Sequence, residues 1–178
     1  AEELKKRGVT CSETYPQEHF RKVYPAGIGK WLGYADKYLS YPKRLHREVH
    51  RFRREAAEKA LSPVIHVVDH SNSPYLAQAK QVPSLLTCHD LIAVRSARGD
   101  FPDIEVSATG KLLQAKIRKH LGKPTRIACD SGSTQTDWRE VIPEARGREE
   151  VVHLGLQEKT LSRNQRKLTK RLPFDPFR

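Results

Sequence analysis

A chain of 178 residues suits one domain with a real hydrophobic core. Its net charge of +12 and isoelectric point near 9.8 favour anionic partners: phosphates, acidic lipid or nucleic acid. No apolar run approaches the ~18 residues of a membrane span, the charged start AEELKKRG does not read as a signal peptide, and three cysteines without CxxC spacing argue against a disulfide framework and for a reducing, cytoplasmic setting.

Residues 1–7 read as the end of a helix stopped by Gly8, and residues 9–14 as a short strand. The chain contains no methionine and opens inside that helix, so it is expected to be a piece of a longer protein. Residues 15–40 are aromatic and broken by Pro16 and Pro25, a loop followed by a short helix. Residues 42–61 carry Leu45, Val49, Phe52, Ala56 and Ala60 on one helical face. The other positions hold Lys43, Arg44, Arg47, Arg51, Arg53, Arg54 and Lys59, with His46 and His50. Such a run has two readings: a solvated face, the commoner outcome, or a helix that rests on an anionic membrane surface.

Three apolar runs then repeat one pattern. Pro63 opens VIHVV, which ends in Asp69, His70, Ser71 and Asn72. Pro83 lies near the start of VPSLLTCHDL, which ends in Thr87, Cys88, His89 and Asp90. Pro124 opens TRIAC, which ends in Asp130, Ser131, Gly132 and Ser133. Short apolar runs bounded by turn residues fit strands buried on both faces. Between or after them lie helical patterns: a short helix at 75–80, a helix at 109–121 with Leu113, Ile117 and Leu121 four apart and Leu112 beside them, and a helix after Ser133, a good N-cap, ending before Pro143. Residues 93–107, with their Arg-Gly-Asp, read as a long loop. A last strand covers 149–154, and residues 159–178 form a basic linker.

Strands alternating with helices imply an α/β fold with an open parallel sheet. Ligands of such sheets sit beyond the carboxyl ends of the strands, where all three polar clusters lie. The expectation is one cleft with His89 at its centre. A helix start at such an end is also a usual seat for an anion. Cys88, Cys129 and His153 are expected to be packed, and alternation points His66 into the sheet's packing.

In order, VIHVVDHSNSPYL, VPSLLTCHDL, RIACDSGSTQTDW and EEVVHLGLQ resemble the N-terminal domain of family 4 glycosyltransferases, over roughly residues 64–157. AEELKKRGV is similar to that family's first helix running into its second strand. The resemblance implies a Rossmann-like parallel sheet with helices on both faces, one half of a two-domain B-type glycosyltransferase. It makes residues 1–158 the acceptor-side domain, lacking its first strand and glycine-rich loop, and 159–178 the connection to a donor-binding domain. The implied reaction moves a hexosyl group from a nucleotide diphosphate sugar to a glycan or lipid-linked acceptor with retention and without a metal or other cofactor. The chain alone is then inactive, on the cytoplasmic side and peripheral to the membrane. Carried over, His89 is the histidine that reaches the donor sugar. Ser131 and Thr134 belong to the turn opening the helix that faces the cleft, and Asp69 and His70 lie near the acceptor. Asp90 is expected to fix the tautomer of His89.

Two other readings stay open. His66, His70, Cys88, His89, Asp90, Cys129 and Asp130 are zinc-ligand types near strand ends, as a metal-dependent hydrolase would need, but without a recognised spacing. The charge alone suits a nucleic-acid binder, although no specific nucleic-acid motif is present.

Overall fold

The computed structural model describes residue 4, residues 6–16 and residues 40–153. The elements in chain order are α1 (Tyr41–Glu58), β1 (Ile65–Val67), a 3-10 helix (His70–Gln78), β2 (Ser84–Cys88), α2 (Ile92–Arg98), α3 (Ala108–Leu121), β3 (Arg126–Cys129), α4 (Gly132–Val141), a 3-10 turn (Pro143–Ala145) and β4 (Glu149–Val151). The strands form one parallel sheet in the order β1-β2-β3-β4. This is the expected α/β class, a Rossmann-like parallel sheet with helices.

Each crossover steps to the next strand in the same direction. Parallel crossovers are right-handed, so three steps the same way put their helices on one face. The core shows it: Leu86, Cys88, Ile127 and Cys129 project from the sheet against Val94 of α2, Ile117 and Leu121 of α3, and Trp138 and Val141 of α4. The opposite face differs from the expectation of strands buried on both sides. There Leu85, Thr87 and Ala128 are half-buried, while His66, Arg126 and Glu150 are exposed among the described residues. His66 therefore does not enter the packing; its Nε2 lies 2.8 Å from the Thr87 hydroxyl across β1 and β2. Cys88 and Cys129 do pack, side by side in register and fully buried.

Helix α1 buries Tyr41, Val49 and Ala56, and Tyr41 meets Tyr75 of the 3-10 helix edge-on at 4.8 Å. Ala60 is not on its face: the helix ends at Glu58 and Ala60 turns at φ 52°. Leu112 is likewise exposed at 74%, pointing away from the buried Ile117 and Leu121.

Residues 93–107 are not one loop, because α2 occupies their start. The Asp90 carboxylate accepts from the Ile92 amide at 3.0 Å and so opens α2, and Gly99 closes it in the left-handed conformation at φ 94°, which glycine adopts without a Cβ penalty. Asp100 turns back onto Arg95 and Arg98, and these arginines also reach Asp137 and Glu140 of α4. The Arg-Gly-Asp triplet is a helix stop whose charges pair internally. Residues 9–14 form no strand with the described residues, and Val9 is exposed. Most of the aromatic segment 15–40 and all of the linker 159–178 lie outside the described residues.

At the opposite end of the sheet, Arg148 donates to the carbonyls of Pro124 and Gly122 at 2.8 Å and of Glu144 at 3.2 Å. It thereby joins the exit of α3 to the entry of β4.

Candidate functional site

Parallel strands present all their carboxyl ends on one side, so register decides which tip residues meet. Cys88 of β2 lies opposite Cys129 of β3. The next residues along, His89 and Asp130, are therefore neighbours. The His89 ring fills the space between three tips: Nε2 lies 3.2 Å from the Val68 carbonyl oxygen past β1, and Nδ1 lies 3.3 Å from Asp130 Oδ2 past β3. From the tip of β4, His153 Nδ1 approaches the Asp130 carbonyl at 3.3 Å. His153 is exposed rather than packed.

Behind the ring is a hydroxyl pair. Thr134, buried in the first turn of α4, has its hydroxyl 2.9 Å from the His89 carbonyl, 3.0 Å from Asp130 Oδ1 and 2.9 Å from the Ser131 hydroxyl. The N-cap of α4 is Ser131, not Ser133; its Oγ accepts from the Thr134 amide at 3.1 Å. The hydroxyls of Ser131 and Thr134 are thus engaged in supporting His89 and Asp130 rather than left open to a ligand. With Ser131 capping it and the Asp130 carboxylate beside it, the start of α4 is also a poor anion seat.

The remaining expected residues flank this centre. Asp69 Oδ1 accepts from the Ser71 amide at 2.6 Å and caps the 3-10 helix. Burial alone would raise its carboxyl; the Ser71 hydrogen bonds and the nearby His70 and His89 outweigh that and hold it below the usual carboxylate range. His70 is buried, with Nδ1 3.9 Å from Asp69 Oδ1 and no hydrogen-bond partner. Burial pushes its imidazole below the ordinary value, against the opposing pull of Asp69 and Asp90. Asp90 accepts from the Ile92 amide at the start of α2 and does not orient His89; the carboxylate at Nδ1 is that of Asp130. Adjacent residues at a strand end point apart, whereas residues across the ladder point together. The strand register carries that signal, and it would have found Asp130.

The geometry corrects the expected cleft in one respect. The tips do converge on His89, but its side chain is 40% exposed and the described residues form an open polar surface there. A cleft needs two walls, and these residues supply one. A groove of about 200 Å³ lies between α1 and β1, lined by Tyr41, Leu45, Val49, Ile65, Tyr75 and Leu76 among others, and reaches the tip cluster only at Val68 and Asn72. The chemistry of the tip surface is nevertheless specific. Residues 68–70, 89–90, 130–134 and 152–153 supply three carboxylates and three imidazoles but no lysine or arginine. Such a surface receives hydroxyl or amino donors better than phosphates. Among the described residues no group of three metal-ligating side chains is close enough to hold a metal ion, so the His, Cys and Asp residues of the hydrolase reading do not gather into a ligand set.

The fold and the tip cluster define the class: a Rossmann-like parallel α/β domain with a histidine-centred polar surface at the carboxyl edge of its sheet. No family model matches the chain, and comparison with curated proteins and with solved structures finds no match.

Proposed function

We propose that this chain is the acceptor-side half of a retaining glycosyltransferase that moves a hexosyl group from a nucleotide diphosphate sugar to a glycan or lipid-linked acceptor. One observation carries the reading: a histidine at the carboxyl edge of a parallel sheet, held between three strand tips, on a surface of carboxylates and imidazoles suited to sugar hydroxyls. In such a transfer, positive charge develops on the sugar and negative charge on the leaving diphosphate, so catalysis is mostly positioning and electrostatic preorganisation. His89 would contact the donor sugar, and Asp69 and His70 would lie towards the acceptor. The lack of cations at the tips fits a half that leaves the diphosphate to a second domain, reached through residues 159–178. The exposed basic side of α1 would rest on the anionic cytoplasmic face of a membrane.

The test is hexosyl transfer by the full-length protein that contains this chain. His89→Ala is expected to lower turnover by about 10²–10³-fold, the scale for losing one preorganised polar group, with the fold unchanged by circular dichroism. Unchanged turnover would remove His89 from the site. The isolated chain is expected to show no transfer and weak binding of nucleotide sugars; micromolar affinity would contradict the division of labour.

A further inference from the structure

We propose that Asp130 is a positioning residue that holds the neutral His89 ring in the tautomer protonated at Nδ1, so that Nε2 meets a ligand as a hydrogen-bond acceptor. Both ring nitrogens face acceptors, the Asp130 carboxylate at 3.3 Å and the Val68 carbonyl at 3.2 Å. A neutral imidazole has one N–H and must leave one of them unmatched. The charged acceptor wins, because a hydrogen bond to a carboxylate is about twice as strong as one to a neutral carbonyl. The opposite tautomer would also set the Nδ1 lone pair against the carboxylate.

The carboxylate is itself held. Its side chain is only 18% exposed, and its other oxygen lies 3.0 Å from the Thr134 hydroxyl. The Ser131 hydroxyl lies 2.9 Å from that of Thr134, whose one proton is shared between Asp130 Oδ1 and the His89 carbonyl, so the turn ties the carboxylate to the backbone of the residue it faces. The consequence appears on the other side of the ring. Nε2 and the Val68 carbonyl form two acceptors 3.2 Å apart with no proton between them. A ligand amino group laid across the pair can donate to both, and a ligand hydroxyl to one of them or to both in a bifurcated bond, whereas a ligand acceptor satisfies neither. The substrate class is therefore a polyol that donates to this edge of the ring. For that chemistry the inference rests on the proposed sugar-binding role, but its test does not.

Imidazole nitrogen shifts and two-bond couplings in the nitrogen-15-labelled chain report which nitrogen carries the proton. At pH 9 the His89 ring is expected to be protonated at Nδ1. In Asp130→Asn the amide can donate to Nδ1, leaving Nε2–H to meet the Val68 carbonyl, so the ring is expected to switch to the Nε2–H tautomer. A wild-type ring carrying a proton on Nε2, or a ring unchanged in a folded Asp130→Asn, overturns the proposal. The wild-type measurement stands even if the variant does not fold. Absence of sugar transfer by the wild-type full-length protein with the Nδ1–H tautomer intact would count against the proposed function alone.

Discussion

Cys88 and Cys129 sit two residues or fewer from the site but do not belong to it. Their side chains point into the core, while the next residue along each strand points out to the tips. Burial pushes the Cys129 thiol up to about 11, and Cys88 is raised further, with nearby Asp90 and Asp130 adding to burial. The thiolate is the reactive form, so neither should react while the chain is folded. Cys11 is partly exposed. Brief treatment with iodoacetamide at pH 8 followed by peptide mass mapping is expected to modify Cys11 alone, with Cys88 and Cys129 reacting only after addition of denaturant. Labelling of Cys88 in the native protein would show that the core around β2 opens readily.

At the scale of elements, α1 shows how a periodic sequence becomes a two-sided helix. Its buried side follows the apolar spacing, and its outer side gathers Lys43, His46, Arg47, His50, Arg51 and Arg54, all exposed. Pairs four residues apart, Arg44–Glu48, Arg51–Glu55 and Arg54–Glu58, neutralise part of that charge. Among the described residues Lys43 and Arg47 have no carboxylate at ion-pair distance. Each cation near an acidic bilayer contributes about 1 kcal/mol. The chain is therefore expected to sediment with vesicles rich in phosphatidylglycerol, less so at high salt, and the Lys43→Glu/Arg47→Glu pair should weaken binding by about tenfold or more. Equal binding to neutral phosphatidylcholine vesicles would end the membrane reading. No described helix is long and apolar enough to cross a membrane. The two longest helices are legible in the sequence because their apolar residues recur at the helical period, and the four strands because short apolar runs are bounded by turn residues. Helix α2 is not, because it is only seven residues long and its boundaries depend on a carboxylate at its start and a glycine at its end. The site was half legible for the same reason. Strand ends located His89, Asp69 and His70, but which carboxylate faces His89 depends on the register between β2 and β3, and no single segment contains that.

The molecule as a whole should lose stability in acid in two stages, and the signs can be assigned to groups. His70 and His120 are held below the ordinary histidine value, in each case first by burial. Above about pH 6.5, the unperturbed histidine value, they are neutral in both states and contribute nothing to the pH slope. As the pH falls below it, the unfolded chain takes up protons that the folded chain refuses, so stability declines until the folded values are passed. A second decline belongs to Asp69 and Glu149. For Glu149, burial alone would raise the carboxyl, but Arg139, 2.5 Å from Oε1, and the local backbone amides outweigh it and lower it. The stability from such carboxylates is present above their unfolded values and disappears as the pH falls through the folded ones. Thermal unfolding from pH 8 to pH 3 is expected to show both declines, and His70→Gln should reduce the first while leaving the Glu149 part of the second. A melting temperature flat from pH 7 to pH 5 would show that these histidines are protonated as easily in the fold as outside it.

The strand order has a further consequence, for synthesis. Every described strand takes its place beside the one made just before it, and none has to wedge between two already joined. The sheet can thus be laid down from its first strand outward as the ribosome delivers it. The His89 ring comes to lie beside the Val68 carbonyl with the second strand but meets Asp130 only after the third has docked, so the imidazole is locked in place late, when most of the sheet already exists.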